Sequence, residues 1–233
     1  MTIKYLGAAI LFALFMTTSC GRPAEGFTAA ELKIINGTDS IMRVLTIEDE
    51  SDLAVLRASS TDISLAGLQS DEYDRLAKLM IATVTHPSQD GVGIAAPQVG
   101  INRRIVAVQR FDKEGEPFEV YPNIRIVWAS DSAAFGPEGC LSVPDRRGEV
   151  KRSQEIIIEY ADMKAASSAK ETIPVVRDTI SGFTAVIFQH EIDHLDGILY
   201  IDRLQFCKKL KIFLHFNKTF IPLQSQFKKG KPN

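Results

Sequence analysis

The stretch QHEIDHLDG, residues 189–197, admits few conformations if its polar residues are to act together. Histidines four apart share one face on an α-helix, so His190 and His194 stand one turn apart and can reach a single metal ion. Glu191 points ~100° around the axis from His190. From there it reaches water beside such an ion rather than the ion itself. This is the physical content of H-E-x-x-H. The spacing predicts a helix from about Gly182 to Leu195, with Gly197 placed to stop it. Two imidazoles still leave a catalytic ion short of its usual third protein ligand.

The downstream side offers a weaker third ligand than the upstream side. The form H-E-x-x-H-x-x-G-x-x-H fits as far as Gly197 and then meets Tyr200. A downstream glutamate is excluded, because no Glu follows Glu191, and only Asp193, Asp196 and Asp202 remain on that side. Upstream, the best candidate is Cys140 in PEGCLSVP. A thiolate is a strong ligand for zinc or ferrous iron, Gly139 allows close backbone approach, and Pro144 stiffens the chain beyond it. The competing reading is a buried thiol that packs as a small hydrophobe. A third element, GVGIAAPQ at residues 91–98, superficially matches G-x-G-x-x-A. A dinucleotide fingerprint needs a strand before it and a helix after it. Here HPSQD precedes and Pro97 interrupts, so a glycine-rich loop lining a substrate cleft is the better reading.

The rest of the chain supplies a scaffold. Its 233 residues suffice for one domain with a real core, and the net charge of −2 argues against a dedicated nucleic-acid binder. Ser70 can cap a helix beginning DEYDRLAKLMIATV, whose Tyr73, Leu76, Met80 and Val84 share a face and which His86-Pro87 ends. RIVAVQRF, FEVYPNIRIVWA and QEIIIEYADM read as strands, and AASSAKE as a hairpin loop. RVLTIEDESDLAVLR alternates weakly and opens the folded part. Strands followed by a helix imply an α+β fold, with antiparallel strands packed around the metal-binding helix.

The N-terminus stands apart. Lys4 precedes an apolar run and then TTSC, in the manner of a secretory signal. The run is shorter than the roughly twenty residues of a spanning helix. Small residues before Cys20 resemble a bacterial lipoprotein processing site, although Thr17 stands where leucine is usual. The expected divisions are a signal at 1–20, a tether at 21–40, a catalytic domain at 41–205 and a basic extension at 206–233. Cys20 is the candidate lipidation site, which implies a lipid-anchored protein of the cell envelope. Without a functional signal the protein would be cytoplasmic. A Cys140–Cys207 disulfide stays open in an exported chain.

GVGIAAPQ, EGCLS and QHEIDH, in that order, resemble the three motifs of the peptide deformylase family, and the similarity runs from about Val44 to Leu204. The resemblance implies an α+β fold and removal of the formyl group from N-formylmethionyl peptides. The bond cut is an amide other than a peptide bond. It implies Cys140, His190 and His194 as ligands of one divalent metal, Fe(2+) or Zn(2+). It implies Glu191 as proton shuttle, and the Gln98 amide and Leu141 N–H as oxyanion donors. Val92 and Gly93 would receive an extended peptide, with Arg147 beside its backbone. Phe183, Val186 and Ile187 border the ligand face and would wall a methionine side chain. Glu138 and Arg152 resemble a family ion pair that steadies the cysteine loop. A monomer acting on formylated peptides is expected. The competing readings are an exported amidohydrolase with another acylated substrate and a silent surface-binding protein.

Overall fold

The computed structural model describes residues 26–89 and 91–204. The signal segment with Cys20 and the basic extension with Cys207 lie outside the described residues. Four helices come first: α1 (Ala29–Asn36), α2 (Glu50–Leu56), α3 (Leu65–Leu68) and α4 (Asp71–Val84). Strands β1 (Gly93–Ala95), β2 (Ile105–Gln109), β3 (Phe118–Pro122), β4 (Arg125–Ala129), β5 (Ala133–Cys140), β6 (Val143–Ser153) and β7 (Glu155–Ala161) come next. Then come α5 (Met163–Ala166), β8 (Val175–Ser181) and α6 (Gly182–Leu195). The strands form two three-stranded sheets, β1-β2-β3 and β4-β7-β8, and the hairpin β5-β6, all antiparallel. The fold is α+β, with α6 packed among the strands. Among the described residues no helix is long and apolar enough to cross a membrane.

The first sheet is buried on both faces, which explains the unbroken apolar run IVAV. Side chains alternate across a strand. Ile94, Ile105 and Ala107 therefore join the core under α4, while Ala95, Val106 and Val108 join the core under α6. On α4 the Ser70 hydroxyl accepts from the Tyr73 N–H at 3.3 Å, and Asp71, Glu72 and Asp74 occupy the first turn, where the helix dipole favours acids. Helix α6 ends at Leu195. Gly197 lies just beyond it in the left-handed region at φ 71°, and an added Cβ there would lie 2.3 Å from the Arg57 carbonyl oxygen, so no other residue fits.

Several expectations need correction. Residues 26–40 are not a tether. Thr28 and Glu31 form a capping box that starts α1, Ile35 is fully buried, and Glu31 is paired with Arg103 through bonds of 2.9 Å. The segment from Arg43 to Arg57, whose weak alternation opens the folded part, forms no strand. Asp49 caps α2, and Asp52 turns back to bind Arg43. FEVYPNIRIVWA is two strands in different sheets, because Asn123 takes φ 54° between them and binds the Ile63 backbone through both amide atoms. Asn tolerates that conformation better than most residues. The hairpin β5-β6 carries no strand signal, since FGPEGC and PDRRGE have little strand propensity. AASSAKE does connect two paired strands, β7 and β8, with α5 at its start.

Candidate active site

Two elements bring three metal-binding donors together. His190 and His194 lie on one face of α6, and Cys140 ends β5. One ligand atom from each of the three falls within 4.8 Å of the others, and Cys140 Sγ is 3.2 Å from His194 Nε2. The hairpin makes this possible through a bulge. Its register runs regularly to Gly139 opposite Arg147, then jumps to Cys140 opposite Val143. A bulge of this kind bends a strand and re-aims a side chain.

A buried polar chain holds the rings. His190 donates from Nδ1 to Glu138 Oε2 at 2.8 Å, which leaves Nε2 for the donor cluster. Glu138 accepts from Arg152 at 2.7 and 3.0 Å, Arg152 donates to Asp193 at 2.6 Å, and Arg203 closes the chain on Asp193. Burial works against charge on Glu138, but the hydrogen bonds from His190 and Arg152 hold its carboxyl down at about 2. Burial also works to lower His190, yet the bonds to Cys140 and Glu138 outweigh it and push the ring up to about 10. A cation between these donors would displace that proton, since a ligating imidazole is neutral. Burial, and then the charges of His190 and Arg152, hold the His194 ring well below its ordinary value. A thiol and two imidazoles with a carboxylate behind one ring form a donor set that fits zinc or ferrous iron.

Glu191 stands beside the donors. It is buried, its Oε2 has no hydrogen-bond partner among the described residues, and burial pushes its carboxyl up to about 7 against the pull of His190. A proton carrier poised near neutrality is what general acid–base chemistry asks for. Gly93 makes room for it: an added Cβ would stand 2.5 Å from Glu191 Oε1 and 2.9 Å from Ile187 Cγ2. The glycine is thus required by Glu191, and not only by a peptide lying on the loop. Gln98 sits in a 3₁₀ turn, Ala96–Val99, where its Oε1 accepts from the Ala95 N–H at 2.8 Å. That bond fixes the amide so that Nε2 faces Ser142 Oγ at 3.1 Å and Cys140 Sγ at 3.5 Å. Leu141 comes after Cys140 in the turn between β5 and β6.

A cleft of about 750 Å³ opens on this cluster. Of the expected substrate residues, Val92, Gly93, Phe183, Val186, Ile187 and Arg147 all line it, as do Cys140, Leu141, Gln98, His190 and Glu191. Phe183 is 57% exposed and its ring lies tilted against Phe111 at 5.3 Å, so it flanks the mouth rather than the interior, whereas Ile187 is buried. Gly91, which opens GVGIAAPQ, lines the cleft as expected of that loop. Sequence reasoning missed Gln89, Asp145 and Arg146 on the same lining, and the buried Ser142. No pattern marks the first three. Ser142 sits inside EGCLS, where the neighbouring thiol is the stronger chemical signal.

The model of the family described as polypeptide deformylase matches residues 41–210. A peptide deformylase of Leptospira biflexa is 35% identical over 167 residues, which cover 68% of this chain and 86% of that protein. A peptide deformylase 2 of Gloeobacter violaceus is 40% identical over 153 residues, 65% of this chain and 74% of its own length. Among solved structures, a class I type b peptide deformylase of Acinetobacter baumannii with Met-Ala-Ser bound superposes with a TM-score of 0.60. It is 32% identical, and the match covers 72% of this chain and all of that one. The Thermotoga maritima peptide deformylase gives 0.60 at 30% identity, over 72% of this chain and 99% of its own. The chain therefore belongs to the polypeptide deformylase family.

Proposed function

We propose that this chain hydrolyses the formyl amide of N-formylmethionyl peptides, releasing formate and a free amine, with Cys140, His190 and His194 holding one Fe(2+) or Zn(2+) ion. The observation that carries the reading is the convergence of these three donors, Glu191 and the Gln98 amide on one cleft. A bound cation supplies Lewis-acid chemistry, polarising a carbonyl and making water acidic. Glu191 takes a proton from the attacking water and returns it to the leaving amine nitrogen, so atoms and charge balance over the cycle. The Gln98 amide and the Leu141 N–H donate to the oxygen on which negative charge develops. Edge strand β1 offers its open side to an extended peptide. Val186 and Ile187 wall the methionine side chain, Phe183 flanks it, and Arg147 lies beside the peptide. An unbranched thioether suits such an adaptable apolar wall.

Turnover of formyl-Met-Ala-Ser by anaerobically purified protein, with metal content measured on the same sample, tests this. Formate release in proportion to bound metal is expected. Cys140→Ala should lose the metal, while Cys207→Ala should keep it. A Cys140–Cys207 disulfide in metal-free protein would replace the ligand role of Cys140 with a redox one.

A signal ending at Cys20 would lead to a lipid-anchored monomer of the cell envelope, acting on released formylated peptides rather than on nascent chains. The short apolar run before Ser19-Cys20 supports it.

A further inference from the structure

We propose that Arg146 and Arg147 form a carboxylate-binding rim on the cleft, which selects short formylated peptides by their free C-terminus. The inference rests on the deformylase reading and names the substrate class within it. Every other arginine among the described residues donates to a carboxylate or a backbone carbonyl. Arg146 and Arg147 alone among them make no side-chain hydrogen bond or ion pair, and both line the cleft. Asp145 lines it too, but forms an ion pair with neither. A guanidinium is a rigid fork of donors matched to a carboxylate. Two of them side by side, without an acceptor and at the mouth of a peptide cleft, present that fork to whatever enters.

The fold explains why they point there. The register jump in the hairpin leaves Pro144, Asp145 and Arg146 with no partner on β5. Asp145 takes φ 56°, a left-handed conformation that Asp adopts more readily than most non-glycine residues, and the chain turns there. The same bulge that aims Cys140 at α6 thus pushes Arg146 out over the cleft. Arg147 comes next on the paired side and crosses Gly139, where an added Cβ would lie 3.5 Å from its Cγ and 3.8 Å from its Nε. Gly139 adjoins Cys140, so this side chain crosses the hairpin beside the cysteine and stays exposed on the cleft lining. An extended peptide advances ~3.3 Å per residue. With the formyl group at the donors, the C-terminal carboxylate of a di- or tripeptide comes to the rim. A longer chain brings only a neutral amide there.

The test compares formyl-Met-Ala-Ser with its C-terminal amide on the metal-loaded enzyme and on Arg146→Ala, Arg147→Ala and the double variant. Wild type should favour the acid through KM, and each substitution should lower the acid-to-amide ratio of kcat/KM by about 3–10-fold, the range of exposed charge-assisted contacts. Added salt should shrink the preference. Equal rates on acid and amide in wild type, or a preference that survives in the double variant, would overturn the rim while leaving the hydrolase intact. Turnover of neither peptide would overturn the hydrolase reading. Calorimetry with Met-Ala-Ser and its amide then reads the rim without turnover, and equal affinities would end it.

Discussion

Glu191 reaches the cleft only because position 93 carries no side chain. Gly93→Ala would place a Cβ 2.5 Å from Glu191 Oε1, and the carboxylate must move. A displacement near 1 Å can cost on the order of 10²-fold in rate, so kcat should fall by that much while metal content holds. Glu191→Gln removes the proton carrier itself and should cost on the order of 10²–10⁴-fold, again with the metal retained. Near-normal kcat in that variant would remove Glu191 from the proton path. Tyr121 ties the first sheet to α6. Its hydroxyl accepts from the buried Arg110 at 2.6 Å, and its ring meets Phe188 of α6 edge-on at 4.9 Å. Tyr121→Phe should lower stability by about 1–3 kcal/mol, the cost of leaving a buried donor short of a partner, as read by urea unfolding.

At the scale of elements, legibility tracks the range of the interactions that make them. Helix α6 is readable to its ends, because its ligand spacing, its apolar face and Gly197 are all local. The hairpin β5-β6 is not, because its strands are held by a buried network running through Glu138, Arg152 and Asp193 rather than by strand propensity. Helix α1 is the intermediate case. Its capping box, Thr28 to Glu31, stands in the sequence as a known start signal. What makes it a packed helix is Arg103, 72 positions away. The pair is buried, so Glu31→Gln should destabilise the protein by about 3–5 kcal/mol at neutral pH, as removal of one partner of a buried ion pair does. The pH dependence comes from the same carboxyl. Burial acts to raise Glu31, but hydrogen bonds from Arg103 and Thr28 outweigh it and hold the carboxyl below its ordinary 4.5. A folded value below the unfolded one contributes stability above pH 4.5 and loses it as pH falls through the folded value. The gap between wild type and Glu31→Gln in urea midpoints should therefore be full at pH 7 and narrow below pH 4.5. A gap constant with pH would mean that shape rather than charge holds α1.

For the whole molecule, the packing of α1 changes what an anchor at Cys20 would do. A tether to residue 40 would let the catalytic domain roam. Instead Gly26 already donates to Ser64 Oγ at 3.1 Å, and the chain is packed from there on. Six residue steps separate Cys20 from Gly26, a span of at most about 22 Å when extended. If Cys20 carries acyl chains, the domain would sit close to the membrane surface, with the α1 side nearest the anchor. Each buried methylene adds about 0.8 kcal/mol, so several chains hold where one does not. The basic extension, with seven lysines from Lys208 to Lys231 and no acid, would add attraction to anionic headgroups. Wild type should therefore pellet with membranes and incorporate labelled palmitate, and Cys20→Ser should appear in the soluble fraction with its turnover of formyl-Met-Ala-Ser intact. Turnover is expected to survive because the cleft is lined by residues between Gln89 and Glu191, so the assay separates location from chemistry. An unlabelled soluble wild type with Met1 in place would instead return the enzyme to nascent chains in the cytoplasm.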